Sequence, residues 1–173
     1  MKKLLLSVIV FGLVAGYSCQ GPVDPEAEKE AIKAVIETEK AAFFEQDLEK
    51  IDGTWKQDTL SRKIYADSEG YWEIKGWKAL QDENKQNLRE DRGDFSKVDL
   101  KFTDYEIVLY DNTALVFHVS NWSGIYQGEE LLLVQKRILH LVKEDGSWKI
   151  DLMFMYRMPG EDEEDEDSAE ESD

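Results

Sequence analysis

At 173 residues, 42% of them hydrophobic and five of them tryptophan, the chain has the length and apolar content of a single packed domain. Its formal net charge of −17 excludes a nucleic-acid partner, which needs a basic footprint. One cysteine excludes an internal disulfide, so packing alone must hold the fold.

The chain starts with Lys2 and Lys3, an apolar run from Leu4 to Ala15, and Gly16-Tyr17-Ser18-Cys19. That is the layout of a secretory signal, and the run is short for a bilayer span. The arrangement resembles a bacterial lipoprotein signal, which would occupy residues 1–18 and leave Cys19 acylated as the new first residue. Gly16 and Tyr17 depart from the aliphatic and small residues usual at those places. A plain secretory signal or an uncleaved anchor are the alternatives. Lipidation gives the odd thiol a purpose, places the protein in the cell envelope and makes residues 19–25 a linker to a domain over 26–160.

Within the domain, residues 26–45 place Ala31, Val35, Thr38 and Ala42, with Ala27, Ala34, Ile36 and Phe43, so that one face of a helix is small and apolar. Asp47 can cap a short second helix carrying Leu48, Ile51 and Trp55. An extended pair is expected around Ser61–Ala66 and Tyr71–Ile74, turning at Asp67-Ser68-Glu69-Gly70. Gly76 opens a third helix with Trp77, Leu80, Asn84 and Leu88 on one stripe, ending near Arg92-Gly93.

Four long strands follow, at about 98–110, 113–123, 129–143 and 147–157. Their turns are expected at Asp111-Asn112, over Ser123-Gly124 to Gly128, and at Glu144-Asp145-Gly146. The fold class is therefore α+β, with three N-terminal helices packed on a curved antiparallel sheet. On the last strand, strict alternation puts Trp148, Ile150, Leu152, Phe154 and Tyr156 on one face. Residues 131–142 are apolar on both parities, and a homodimer across the sheet is the simplest cover for the outer face. Residues 161–173 hold ten acidic and no basic side chains, which makes a solvated, disordered tail. Without the signal lysines the charge is −19, of which the tail carries −10 and the body −9.

The segments AIKAVIETEKAAFFEQDLEKIDGTW (31–55), GWKAL (76–80), YEIVLYDNTALV (105–116) and HLVKEDGSWKI (140–150) together resemble the nuclear transport factor 2-like superfamily, and within it the SnoaL-like proteins. The resemblance implies a cone-shaped, cystatin-like fold whose helices and sheet enclose a pocket. It does not imply one chemistry, because the superfamily includes isomerases, dehydratases, cyclases and association domains. Many relatives carry histidines two and four residues after the isoleucine of the Trp-x-Ile hairpin, where this chain has Leu152 and Phe154. A threonine-arginine pair of the preceding strand is matched by Ile138 and Leu139. Both departures remove polar groups.

Among candidate residues, His118 is a mid-strand histidine that could act as a general base if it faces the pocket beside a carboxylate, or could be a satisfied interior residue; an acidic residue such as Asp104 or Glu106 deep in the cone is the alternative acid/base group. His140 has no second histidine at metal-pair spacing, so no metal is expected, and nothing resembles a phosphate-cradling glycine loop or a dinucleotide fingerprint, so no cofactor is expected. Lys136 and Arg137 point to opposite faces, so one points inward; a buried Arg137 would need a carboxylate or an anionic ligand. The aromatic residues Trp55, Tyr65, Tyr71, Trp72, Trp77, Trp122, Phe154 and Tyr156 could line the cone or simply fill its core. Three readings follow: a membrane-anchored module holding a small apolar or aromatic ligand, a cofactor-independent isomerase- or dehydratase-like enzyme, or a dimeric interaction module whose cone is filled.

Overall fold

The computed structural model describes residues 24–88 and 95–158; the expected signal, Cys19 and the acidic tail lie outside the described residues. The helices are α1 (Pro25–Glu45), α2 (Leu48–Thr54) and α3 (Trp77–Asn87). The strands are β1 (Arg62–Ala66), β2 (Tyr71–Lys75), β3 (Val98–Leu109), β4 (Thr113–Tyr126), β5 (Glu129–Glu144) and β6 (Ser147–Arg157). All six strands form one sheet in the order β2-β1-β6-β5-β4-β3. Every pairing is antiparallel except that of β1 with β6, so the sheet is mixed. The three helices pack on it, as the sequence led one to expect. Among the described residues no helix is long and apolar enough to cross a membrane.

Local chemistry explains the helix limits. Asp24 caps α1 by accepting from the Glu26 N–H at 3.0 Å, and Pro25 stands at the first helical position, where its missing N–H costs nothing. Asp47 caps α2 by accepting from the Lys50 N–H at 3.0 Å. The first turn of α1 is tied to the far hairpin through Glu28, whose carboxylate accepts from Lys143 Nζ at 2.6 Å and Trp148 Nε1 at 2.7 Å. The Lys143 bond, followed by the indole, holds that carboxyl below its ordinary value. The residue at the centre of the α1 face is Ile32, fully buried with Ile36 one turn on, while Thr38 turns its hydroxyl back to the Ala34 carbonyl.

One end of the cone is filled. Ile32, Ile36, Ile51, Trp55 and Leu80 pack against Val116, Leu139, Leu141, Trp148 and Ile150 of the sheet. Each fully buried aliphatic side chain contributes about 1.5–3 kcal/mol of transfer free energy, so this cluster dominates the stability of the domain.

Two bulges decide which side chains face inward. In β3, Asp104 and Tyr105 together oppose His118, and Asp104 takes a positive φ of 56°. In β6, Leu141 pairs with Ile150 but His140 pairs with Leu152, which leaves Asp151 as an extra residue. The alternation expected for β6 therefore breaks. Trp148 and Ile150 face the core, but beyond the bulge Met153 and Met155 do, and Leu152, Phe154 and Tyr156 turn to the outer face beside Ile138 and Phe117. On that outer face Leu132 is 73% and Val134 44% exposed.

The β4–β5 turn also differs from expectation. Strand β4 continues through Gly124 to Tyr126, and the turn is the two-residue Gln127-Gly128 with φ of 53° and 90°. Positive φ at both central residues is the hairpin turn that matches strand twist, and Asp145-Gly146 repeats it between β5 and β6 with φ of 50° and 80°.

Candidate functional site

Below the filled core the inward row of the sheet changes character. On β5 the inward residues run Leu141, Leu139, Arg137, Gln135, Leu133, Leu131, so an apolar row gives way to two polar residues and then resumes. Register sets their neighbours: Arg137 lies between Met155 of β6 and His118 of β4, and Gln135 lies opposite Ser120. Lys63 and Tyr65 of β1 stand beside Met153 and Met155. Arg137, Gln135, Leu133, Leu131, Met153, Met155, Lys63 and Tyr65, with Glu39, Lys40 and Phe43 of α1 and Asn84 of α3, surround a cavity of about 300 Å³. Trp122 and Tyr126 from the end of β4, Leu131 and Leu133 from the start of β5, and Phe95 supply its apolar wall. Phe43 packs edge-on against Phe95 and Trp122, with ring centroids 5.4 and 6.2 Å away.

The polar lining of the cavity comes from α1, α3, β1 and β5. Three of its lining residues are cations and one, Glu39, is a carboxylate. Lys63 is buried and donates to Glu83 Oε2 at 3.3 Å and Asn84 Oδ1 at 3.4 Å. Glu83 also accepts from the Tyr65 hydroxyl at 2.7 Å, and burial, then the Glu83 charge, push that phenol above its usual range. Lys40 is paired with Glu37 and sits over the Phe102 ring. Arg137 is different. It is 7% exposed, it has no carboxylate within ion-pair distance among the described residues, and its Nε has no hydrogen-bond partner. Its Nη2 reaches Gln135 Oε1 at 3.4 Å and its guanidinium lies 5.1 Å from the Phe102 ring centre.

Gln135 Oε1 is heavily used. It accepts from Ser120 Oγ at 3.3 Å, from Trp122 Nε1 at 3.3 Å and from Arg137 at 3.4 Å. A carbonyl oxygen has two lone pairs, so three long bonds to it mark a place with more donors than acceptors.

His118 lies behind this site and does not line the cavity. Its ring stacks on Tyr105 at 5.0 Å and meets the Phe102 ring edge-on at 4.6 Å. Burial first, and then the positive charge of Arg137, pull its pKa from 6.5 down to about 3. Neither ring nitrogen has a partner at hydrogen-bond geometry, and the Val119 backbone opposes the shift without overcoming burial and the Arg137 charge. It is a neutral ring in a hydrophobic sandwich.

Of the aromatic residues singled out in the sequence, Tyr65 and Trp122 line the cavity. Trp55 belongs to the filled core, Tyr71 and Trp72 are exposed on β2, and Trp77 borders a shallow depression at the start of α3 with Asp58 and Lys78. Trp72 does stack on Tyr65 at 4.7 Å and so backs one wall. Phe154 and Tyr156 fall on the outer face because of the Asp151 bulge. Arg137 is the inward member of its pair and Lys136 the outward one. Asp104 and Glu106 are exposed and do not line the cavity, so neither is the acid deep in the cone that the sequence offered.

Sequence reasoning did not find Lys63, Gln135, Leu131, Leu133, Met153 or Met155. The β5 residues were readable in principle, since an inward Arg137 fixes every second residue before it. Lys63 carried no signal.

Solved structures show the same architecture. A candidate dehydratase of the nuclear transport factor 2-like family from Streptomyces avermitilis superposes with a TM-score of 0.65 at 12% identity, over 79% of this chain and 100% of that one. The fold is the nuclear transport factor 2-like one. A nuclear transport factor 2-like superfamily protein from Salmonella enterica gives 0.63 at 14% identity, covering 80% of this chain and 96% of its own. A ketosteroid isomerase-like protein from Erwinia carotovora gives 0.57 at 17%, covering 77% and 98%. No protein-family model matches the chain, and no curated protein matches it by sequence. Within the nuclear transport factor 2-like fold, the positions expected to face the cone, Leu152 and Phe154, are displaced by the bulge. Met153 and Met155 occupy the inward places, and these too are apolar.

Proposed function

We propose that the protein is a binding module that holds a small amphiphilic molecule in the cone. The cavity carries this reading: about 300 Å³ of space lined by apolar side chains together with a smaller set of polar groups, at the lower end of the sizes that ligand sites span. Its own side chains leave this space open. Several fold neighbours are described as isomerase-like or dehydratase-like. An enzyme of that kind needs an acid or base able to exchange a proton with the ligand. Here His118 is outside the cavity, the Tyr65 proton is directed to Glu83, and the charge of Glu39 acts on Arg137. Binding therefore fits the lining better than proton transfer.

Thermal shift tests this. Octanol, octanoate and 3-phenylpropionate, each near the size of the cavity, should include at least one compound that raises the melting temperature. Leu133→Trp, which fills the cavity from β5, should fold and lose that shift. A shift that survives in Leu133→Trp places the ligand elsewhere and removes the reading.

The lipid anchor belongs to the same proposal. Cys19 lies only six residues before α1, so acylation would hold the cone close to a membrane surface. Metabolic labelling with a fatty acid should mark the protein, and Cys19→Ser should move it from the membrane to the soluble fraction. An unlabelled protein, or a variant that stays with the membrane, would remove the anchor.

A further inference from the structure

We infer that the cavity selects an anion, and that its ligand is a carboxylate on a short alkyl or aryl body whose head group is held by Arg137. The inference rests on the binding reading above and names the ligand class for that same site. Three observations lead to it. Arg137 is buried against the cavity without a carboxylate partner among the described residues, although a buried charge is normally paired. The neighbouring donors of Ser120, Trp122 and Arg137 compete for one amide oxygen, so acceptors are short around Gln135. The other lining cations, Lys40 and Lys63, have Glu37 and Glu83 within ion-pair distance, whereas Glu39, the lining carboxylate whose charge acts on Arg137, makes no ion pair with it.

Geometry limits the anion. The guanidinium presents parallel N–H groups that match the two oxygens of a carboxylate, and the Trp122 indole N–H shares the Gln135 oxygen with it. Leu131, Leu133, Met153 and Met155 give an apolar wall beside it, and the other lining cations, Lys40 and Lys63, are already paired. One negative head and an apolar body is the complement. A water molecule's share of liquid is about 30 Å³, so the cavity takes about ten groups of that size, as in octanoate or 3-phenylpropionate.

The test compares each acid with its amide, octanoate with octanamide and 3-phenylpropionate with 3-phenylpropanamide, by calorimetry at pH 7 on the purified protein. The acids should bind at least tenfold more tightly. Arg137→Met should bind acid and amide equally, and its melting temperature without ligand should match or exceed that of the parent, because an unpaired buried charge has been replaced by an apolar side chain of similar length. Arg137→Lys should keep the preference for the acid at reduced affinity, since the charge stays and the fork is lost. Should the Met variant fail to fold, the Lys variant still decides. Equal binding of acid and amide by the parent, or an unchanged preference in Arg137→Met, overturns the inference and leaves the binding reading intact. If neither acids, amides nor octanol bind, both fall together.

Discussion

Gly124→Ala should lower the unfolding free energy by at least about 3 kcal/mol, summing the usual costs of forbidden backbone conformation and of an overfilled contact. Gly124 lies inside β4 at φ 133°, and a Cβ there would stand 2.0 Å from the Lys97 carbonyl oxygen and 3.0 Å from the Val98 Cα. Both neighbours are backbone and cannot swing aside. The same carbonyl accepts from the Ile125 N–H at 3.1 Å, so relieving the overlap would pull apart the β3–β4 edge. Because Trp122, Tyr126 and Leu131 flank this place and line the cavity, ligand binding should weaken with stability. Gly128→Ala is the control: φ is 90° but the space is open, so only conformational strain of about 1 kcal/mol is added. Urea midpoints of the two variants should differ widely; equal midpoints would mean that the close approach at Lys97 does not exist.

The second large effect is acid sensitivity centred on His118. The folded pKa of about 3 lies below the ordinary 6.5, so between those values the unfolded chain binds one more proton than the folded one. Stability from the neutral ring is complete above pH 6.5 and is lost as pH falls toward 3. At about 1.4 kcal/mol per unit of pKa difference, the loss reaches several kcal/mol. The groups facing the ring explain why it stays neutral: Arg137 from β5 and Lys40 from α1 are positive, and Phe102 and Tyr105 from β3 are aromatic. His118→Phe keeps a flat ring in the sandwich and removes two unpartnered nitrogens. Its stability at pH 7 should match or exceed the parent's, and by pH 4 it should be the more stable protein by several kcal/mol. The surface carboxylates titrate in both proteins, so the difference between their curves isolates His118. Curves that run parallel from pH 7 to pH 4 would show that the ring is solvated.

The α+β architecture was legible because its signals are local. The Asp24 and Asp47 caps, the apolar stripe of α3 and the Asp145-Gly146 turn each act within a few residues. What escaped was set by contacts distant in sequence. Gly124 reads as a turn residue, but it is a glycine because Lys97 approaches it from another strand. The Asp151 bulge cannot be seen in an alternating sequence, and one extra residue sent Phe154 and Tyr156 to the outer face. Within the site, Arg137 was legible because a charged pair inside an apolar strand must place one member inward. Lys63 was not, since a lysine in a short strand is ordinarily exposed, and only the parallel pairing of β1 with β6 carries it inside. His118 was legible as interior but not as excluded from the cavity, which depends on the β3 bulge that stacks Tyr105 over it.

The cavity can be observed through its own methionines. Met153 and Met155 line it, while Met158 lies beyond the end of β6 and is not among its lining residues. With carbon-13 at the methionine methyl groups, titration of octanoate and of octanol should shift and broaden the Met153 and Met155 signals together, each assigned by its Met→Leu variant. The Met158 signal should stay in place. Movement of Met158 alone, or no movement of Met153 and Met155 at concentrations that raise the melting temperature, would contradict a ligand held inside the cone.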